Sequence, residues 1–191
     1  MAPEYIDEII KKRRSIFPAM YTGETVSDEV VSKMIENAHW APVHKRTYPW
    51  RFVVFKGDSL KELAEYQANI YKEKAEKAGD FDEAKYKMFL EKPLLASHIV
   101  AIGMKRDEKE RVPEIEEVEA VACAVQNMYL TAAAHGVGVY WGTGGMTYSE
   151  EAKPFLNLGE KDKFLGYLFV GMPKSWPEGN RPDVADFVEW R

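Results

Sequence analysis

Residues 116–145 read EEVEAVACAVQNMYLTAAAHGVGVYWGTGG, and this stretch decides the fold. Its first part predicts a helix over Glu116 to His135, because apolar side chains recur every three or four residues. The apolar positions are Val118, Val121, Ala122, Val125, Met128, Tyr129 and Ala132. Gly136 is expected to end the helix, and residues 138–141 then predict a strand. A long amphipathic helix that leads directly into a strand therefore lies at the centre of the fold.

Further helices and strands lie on both sides of this stretch. Apolar spacing predicts helices over residues 3–14 and 28–38, a third that begins at Ser59, and a short amphipathic piece around 86–90. Apolar runs predict strands at 50–55, 98–104 and 164–170. Helices outnumber strands, and no strand precedes a GxGxxG dinucleotide-binding motif. The sequence thus predicts an α+β fold with a mixed central sheet flanked by helices.

Composition narrows the class of protein. The chain has 191 residues, of which 46% are hydrophobic, so we expect one domain over residues 1–191 with a sizeable core. Its net charge of -5 provides no basic field for nucleic acid. The acidic N-terminus does not resemble a secretory signal, and no apolar run reaches the roughly 18 residues of a membrane span. We therefore expect a cytoplasmic protein that binds neither nucleic acid nor membrane.

The single cysteine, Cys123, cannot form an internal disulfide, which fits a reducing compartment. It lies among apolar residues of the long helix, so we expect a packed core thiol; a nucleophile is the alternative interpretation. The four histidines lack the spacing of metal ligands, and we expect no metal site.

Three segments have the chemistry to bind a ligand. Arg13-Arg14-Ser15 offers guanidinium groups and a hydroxyl suited to a phosphate monoester, although basic residues at the end of a helix also complement its dipole. The loop at 41–50 contains His44, Lys45 and Arg46 between aromatic residues. It could place positive charge against the edge of a flavin ring, or it is an exposed turn with solvated charges. In the third segment, residues 136–145, glycines allow the backbone to approach a planar ligand closely.

In this order and spacing, the three segments resemble the nitroreductase family. Its layout is reproduced by Arg-Arg-Ser after the first helix, by Ala-Pro and Pro-Trp at the two ends of the loop at 41–50, and by an alanine-rich helix through Gln126-Asn127 into GVGVYWG. The late strand from Gly166 to Pro173 matches as well. The resemblance covers nearly the whole chain, and the compact length with His44-Lys45 is similar to the short, minimal branch of the family.

The resemblance implies an FMN-binding α+β fold in which two subunits intertwine and form two flavin sites at their interface. The implied cofactor contacts are Arg13, Arg14 and Ser15 at the phosphate and ribityl chain, His44 and Lys45 from the other subunit, and Trp141, Gly142, Thr143 and Gly144 along the ring. Trp40 is a further candidate, as is Arg181, a basic residue of the C-terminal tail. Arg46 and Tyr48 stand where many members have Asn and Gln, so the acceptor pocket is expected to differ.

The implied activity is electron transfer from NADH or NADPH through FMN to a nitroaromatic, quinone or similar small acceptor, with no catalytic side chain. A flavin-dependent dehalogenase or a flavin-consuming enzyme on the same fold is an alternative. A flavin-free interaction protein is another.

Two segments are expected to have particular roles in a homodimer. Residues 59–92 form a possible lid that would place Tyr66, Tyr71 or Tyr86 over the substrate. Residues 174–191, a tail with Trp176, Phe187 and Trp190, are expected to embrace the partner subunit.

Overall fold

A four-stranded sheet carries helices on both faces in this computed structural model, which describes residues 3–191 except for the side chain of Tyr148. The helices are α1 (Pro3–Lys12), α2 (Asp28–Ala38), α3 (Asp58–Ala78), α4 (Glu83–Glu91), α5 (Glu114–Ala134) and α6 (Ala152–Phe155). The strands are β1 (Trp50–Lys56), β2 (His98–Met104), β3 (Gly138–Gly142) and β4 (Lys163–Gly171). Short 3₁₀ helices lie at Pro18–Met20, His44–Arg46, Lys92–Leu95, Gly145–Tyr148 and Val184–Phe187. The predicted α+β class is confirmed.

The strand order is β1-β2-β4-β3, and every neighbouring pair is antiparallel. The prediction of a mixed sheet is wrong for these four strands, because β4 lies between β2 and β3. The crossover through α5 does make β2 and β3 run in the same direction, but β4 is antiparallel to both. Within residues 3–191, parallel pairing occurs at an isolated β-bridge between Ser15 and Val139, apart from the strand pairs.

The two faces of the sheet bury two groups of side chains. On one face, α2 and α5 pack through Met34 and Val125 against Val100 and Leu168. On the other face, α3 packs through Leu63 against a cluster that includes Ile99 and Phe169. All seven residues of β2 are buried, because alternate side chains enter the two cores. This explains why β2 is a continuous apolar run in the sequence.

Cys123 corrects one expectation. Its side chain is exposed, so the prediction of a packed core thiol is wrong for this chain. Helical spacing places Cys123 with the exposed residues Glu119 and Gln126, whereas Val121 and Val125 face the sheet. α5 is rich in alanine and valine on several sides, so the apolar pattern does not show clearly which side of the helix faces the core. None of the helices within residues 3–191 combines the length and the apolar character needed to span a bilayer.

Charged groups connect the start of α2 to β2. The Ser27 hydroxyl accepts a hydrogen bond from the Val30 N–H, as expected for an N-cap. Asp28 forms an ion pair with Lys56, and its Oδ1 lies 3.0 Å from Nε2 of buried His98. The hydrogen bond from Lys56, followed by that from His98, holds the pKa of Asp28 below its ordinary value. Asp28 therefore stabilises the folded state only while it is ionised.

Because the pKa of Asp28 is lower in the folded chain, its contribution is present above the unfolded pKa of about 3.9 and is lost at lower pH. We expect Asp28→Asn to be less stable than the wild type at pH 6, with a difference that shrinks as the pH falls below about 4. Urea unfolding across this range measures it. Asp58→Asn, at the start of α3, is the matched control; a pH-independent difference for Asp28→Asn would contradict the expectation.

Candidate functional site

The candidate site begins where the chain leaves α1 and meets the outer edge of β3. The Ile16 N–H donates a hydrogen bond of 2.9 Å to the Val139 carbonyl, and this bond holds the segment against the strand. The Arg13 guanidinium lies 5.2 Å from the centre of the Tyr129 ring. The Ser15 hydroxyl oxygen lies 3.4 Å from the Tyr129 hydroxyl oxygen. A cation and a hydroxyl therefore both lie against Tyr129 at the sheet edge.

Tyr129 of α5 links this segment to the third candidate segment. Its hydroxyl accepts a hydrogen bond of 2.7 Å from the Trp141 N–H of β3. The structure thus brings Arg13, Ser15 and Trp141 together around Tyr129. The apolar pattern of α5 predicts only a core position for Tyr129. The signal that could have found it is the single tyrosine on a buried stripe, since a buried hydroxyl needs a polar partner.

A close contact between strands fixes the backbone at Trp141 and Gly142. Gly166 of β4 has a φ of +117°, and a Cβ there would lie 2.5 Å from the Gly142 carbonyl oxygen and 2.9 Å from Nε1 of Trp141. Only glycine allows this approach. The Trp141 indole also donates a hydrogen bond of 2.8 Å to the Leu165 carbonyl. Beyond this point Thr143 and Gly144 are exposed.

Arg14 has a different environment from Arg13. Its Nη1 donates hydrogen bonds to the carbonyls of Lys11, at 2.7 Å, and Arg13, at 2.8 Å. The tail passes over the same guanidinium at Gly179, where a Cβ would lie 1.9 Å from Nη2 of Arg14. The Nε of Arg14 is buried and has no partner among the described residues. The structure therefore places Arg14 between backbone and tail.

The first part of the tail lies on its own chain. The Trp176 indole donates a hydrogen bond of 2.6 Å to the Lys12 carbonyl, at the end of α1. Arg181 follows Gly179 by two residues and donates a hydrogen bond of 3.2 Å to the Asn180 carbonyl. The end of the tail is exposed: 72% of Phe187 and 94% of Trp190 are accessible. Arg181 is thus close in sequence to the part of the tail that covers Arg14.

The loop at 41–50 lies at the other end of α5. His44 Nδ1 is 2.5 Å from a carboxylate oxygen of Glu116, and Lys45 Nζ donates a hydrogen bond of 2.9 Å to the Arg111 carbonyl. Lys45, Arg46 and Tyr48 all have positive φ, at 50°, 54° and 45°. Each such non-glycine residue costs roughly 1–2 kcal/mol, and strain of this kind is concentrated at functional sites.

One chain does not bring this loop to Arg13 and Ser15. His44 contacts Glu116 and Arg13 contacts Tyr129, which are 13 positions apart on α5. At 1.5 Å per residue the two ends of this span are about 20 Å apart. Trp40 is 80% exposed and lines a shallow surface groove with residues of α2 and α5. The predicted site residues therefore form two separate groups on a single chain.

The sequence model of the Nitroreductase family matches residues 10–172. The chain belongs to the nitroreductase family. YdjA of Escherichia coli strain K12, provisionally named an NAD(P)H nitroreductase, is 32% identical over 185 residues, which cover 96% of this chain and 97% of YdjA. YfhC of Bacillus subtilis strain 168 has the same provisional name. It is 28% identical over 171 residues, which cover 90% of this chain and 86% of YfhC.

Solved structures have the same fold as this nitroreductase. A nitroreductase-like family protein from Bacillus cereus superposes with a TM-score of 0.81 at 25% identity, over 97% of this chain and 95% of the other. A protein from Desulfovibrio desulfuricans, provisionally named a nitroreductase, was solved in complex with FMN. It gives a TM-score of 0.73 at 26% identity, over 100% of this chain and 98% of the other. The FMN-dependent nitroreductase NfnB from Mycobacterium smegmatis, solved with NADPH, gives 0.75 at 18% identity, over the whole of both chains. The predicted nitroreductase-like fold is confirmed.

Proposed function

We propose that this nitroreductase is an FMN-dependent oxidoreductase that passes electrons from NADH or NADPH to a small acceptor such as a nitroaromatic or a quinone. The observation that carries the proposal is the grouping of Arg13, Ser15 and Trp141 around Tyr129 at the edge of β3. Support comes from relatives named as NAD(P)H nitroreductases and from the FMN in the structure from D. desulfuricans.

The described residues fit FMN at this edge. A guanidinium and a hydroxyl are donors that suit a phosphate monoester, so Arg13 and Ser15, both beside Tyr129, would hold the phosphate. Trp141 to Gly144 would lie along the ring, where the glycines leave the backbone accessible. When bound, FMN supplies the two-electron redox chemistry, and the protein supplies binding and electrostatics.

Two copies of the chain would complete each site. His44 and Lys45 lie about 20 Å along α5 from the Arg13 group, so a second subunit is the source of a cationic loop for the first. Positive charge from that loop would stabilise the negative charge that a flavin ring gains on reduction. The exposed apolar side chains Ile6 and Ile10 of α1, with Phe187 and Trp190 of the tail, would be covered by association.

Anaerobic titration tests the proposed function. The purified protein should be yellow, release FMN on denaturation, and lose its flavin absorption on addition of NADH or NADPH. A nitroaromatic or a quinone should then restore the absorption. A colourless protein that also fails to bind added FMN would contradict the proposal and favour a flavin-free interaction protein.

Arg13→Ala should raise the dissociation constant for FMN by roughly 10- to 100-fold, since it removes a charge-assisted contact worth about 1.5–3 kcal/mol. Arg13 is only partly buried, so the thermal stability of the FMN-free protein should change little. Fluorescence titration with FMN and thermal unfolding give the two values. Lys12→Ala, an exposed neighbour, is the control; equal FMN affinity in both variants would argue against Arg13 as a phosphate contact.

A further inference from the structure

A cavity of about 330 Å³ lies on the α3 face of the sheet, beneath α3 and α4. Its lining includes the aromatic rings of Tyr140 of β3, Phe169 of β4 and Phe89 of α4. Gly142, Gly144 and Gly145 also line it, and they belong to the segment that provides the proposed ring contacts of FMN. Tyr66, Tyr71 and Tyr86, the residues expected over the substrate, are not among its lining residues. Residues 59–92, the segment expected to form a lid, therefore contribute other side chains to the cavity, such as Gln67 and Phe89.

Two buried polar groups at this cavity have no hydrogen-bond partner among the described residues. They are the side-chain nitrogen of Gln67, on α3, and the hydroxyl of Tyr167, on β4. The residues are 6% and 3% exposed. Burial raises the pKa of Tyr167, so its hydroxyl stays protonated and able to donate. Native proteins leave few buried polar groups unpaired, so these two donors suit a ligand in the cavity that accepts hydrogen bonds.

Lys92 adds a positive charge to the cavity. Its Nζ lies 5.4 Å from the centre of the Tyr140 ring and 5.2 Å from that of Phe169. Desolvation lowers the pKa of Lys92, and within residues 3–191 no carboxylate pairs with it. Lys85 also lines the cavity, whereas no acidic residue of the described part of the chain does. A partly desolvated cation without a counter-ion favours an anionic ligand.

We propose that this cavity binds the electron acceptor and that the acceptor is a planar aromatic molecule with a carboxylate group. The proposal rests on the proposed function. The rings of Tyr140 and Phe169 suit an aromatic plane, Lys92 suits the carboxylate, and Gln67 and Tyr167 donate to nitro or carbonyl oxygens. For a nitro group, reduction to nitroso consumes one NAD(P)H and one proton and yields NAD(P)⁺ and one water.

The test compares 4-nitrobenzoate with its uncharged methyl ester, using the FMN-loaded protein. Lys92→Met keeps the apolar length of the side chain and removes its charge. We expect kcat/KM for the acid, divided by that for the ester, to fall about tenfold or more, mainly through KM. Lys92→Arg should restore much of this ratio. Lys87→Met, in the preceding helix α4, lies outside the cavity and is paired with Glu83, so it should leave the ratio unchanged.

Two further measurements separate failure of this proposal from failure of the proposed function. They are reduction of the wild-type protein by NADH or NADPH, and calorimetric binding of the same two compounds. A wild-type protein that NADH and NADPH cannot reduce would overturn the proposed function, and with it the role of the cavity in electron transfer. An acid-to-ester ratio that is the same in wild type and Lys92→Met, by kinetics and by calorimetry, would overturn the cavity assignment alone. Loss of FMN from Lys92→Met, with FMN retained by Lys87→Met, would assign the cavity to the cofactor and also overturn the proposal.

Discussion

Gly166→Ala is expected to lower the free energy of unfolding by roughly 2–5 kcal/mol, the sum of backbone strain and overpacking. At a φ of +117° any other L residue is strained, and the new methyl group would lie 2.5 Å from the Gly142 carbonyl oxygen. The contacted atom belongs to the backbone of β3, so a side-chain rotation cannot relieve the clash. β3 would have to move away from β4, and it carries Trp141 of the proposed FMN site.

Chemical denaturation and flavin content measure the two consequences of Gly166→Ala. Gly159→Ala is the control, because a Cβ at Gly159 would meet only the Asp162 carboxylate, at 3.5 Å, which is an ordinary contact. We expect the control to keep both stability and FMN. A Gly166→Ala protein with wild-type stability would show that the approach of β3 to β4 is not needed for the fold.

Local patterns predicted most of the secondary structure. The apolar run at 98–104 coincides with β2, and the long helix was predicted within two residues at its start and one at its end. These elements follow from side-chain spacing and from breakers such as Gly136, which has a φ of +68°. The grouping of Arg13, Ser15 and Trp141 was also predicted, but through a resemblance to a family and not from spacing.

Features that depend on distant parts of the chain could not be predicted in this way. The position of β4 beside β2 reflects pairing between residues as far apart in sequence as His98 and Val170, for which the local sequence has no signal. Gln67, Lys92 and Tyr167 come from three elements and meet only in the folded chain. The exposure of Cys123 depends on which side of an apolar helix meets the sheet. In each case long-range packing supplies the missing information.

Removal of residues 184–191 is expected to disrupt the proposed dimer and the FMN site together. This segment exposes Val184, Phe187, Val188 and Trp190, whereas Trp176 and Gly179, which precede it, contact α1 and Arg14 of their own chain. The deletion therefore removes the apolar end of the tail and keeps its intramolecular contacts. Phe187 and Trp190 would be two aromatic anchors that the dimer buries, and at about 2 kcal/mol or more each, their loss corresponds to about a 1000-fold rise in the dimer dissociation constant.

FMN content should fall with the dimer, because Arg13 and Ser15 would come from one subunit and His44 and Lys45 from the other. Light scattering gives the mass in solution, and the absorbance of released FMN gives the flavin per chain. Phe81→Ser changes a partly exposed aromatic side chain at the α3–α4 turn and should leave both values unchanged. If the truncated chain is a monomer that still binds one FMN with wild-type affinity, the shared site is wrong. The strained loop at His44 would then serve its own subunit, near Glu116 and about 20 Å from Tyr129.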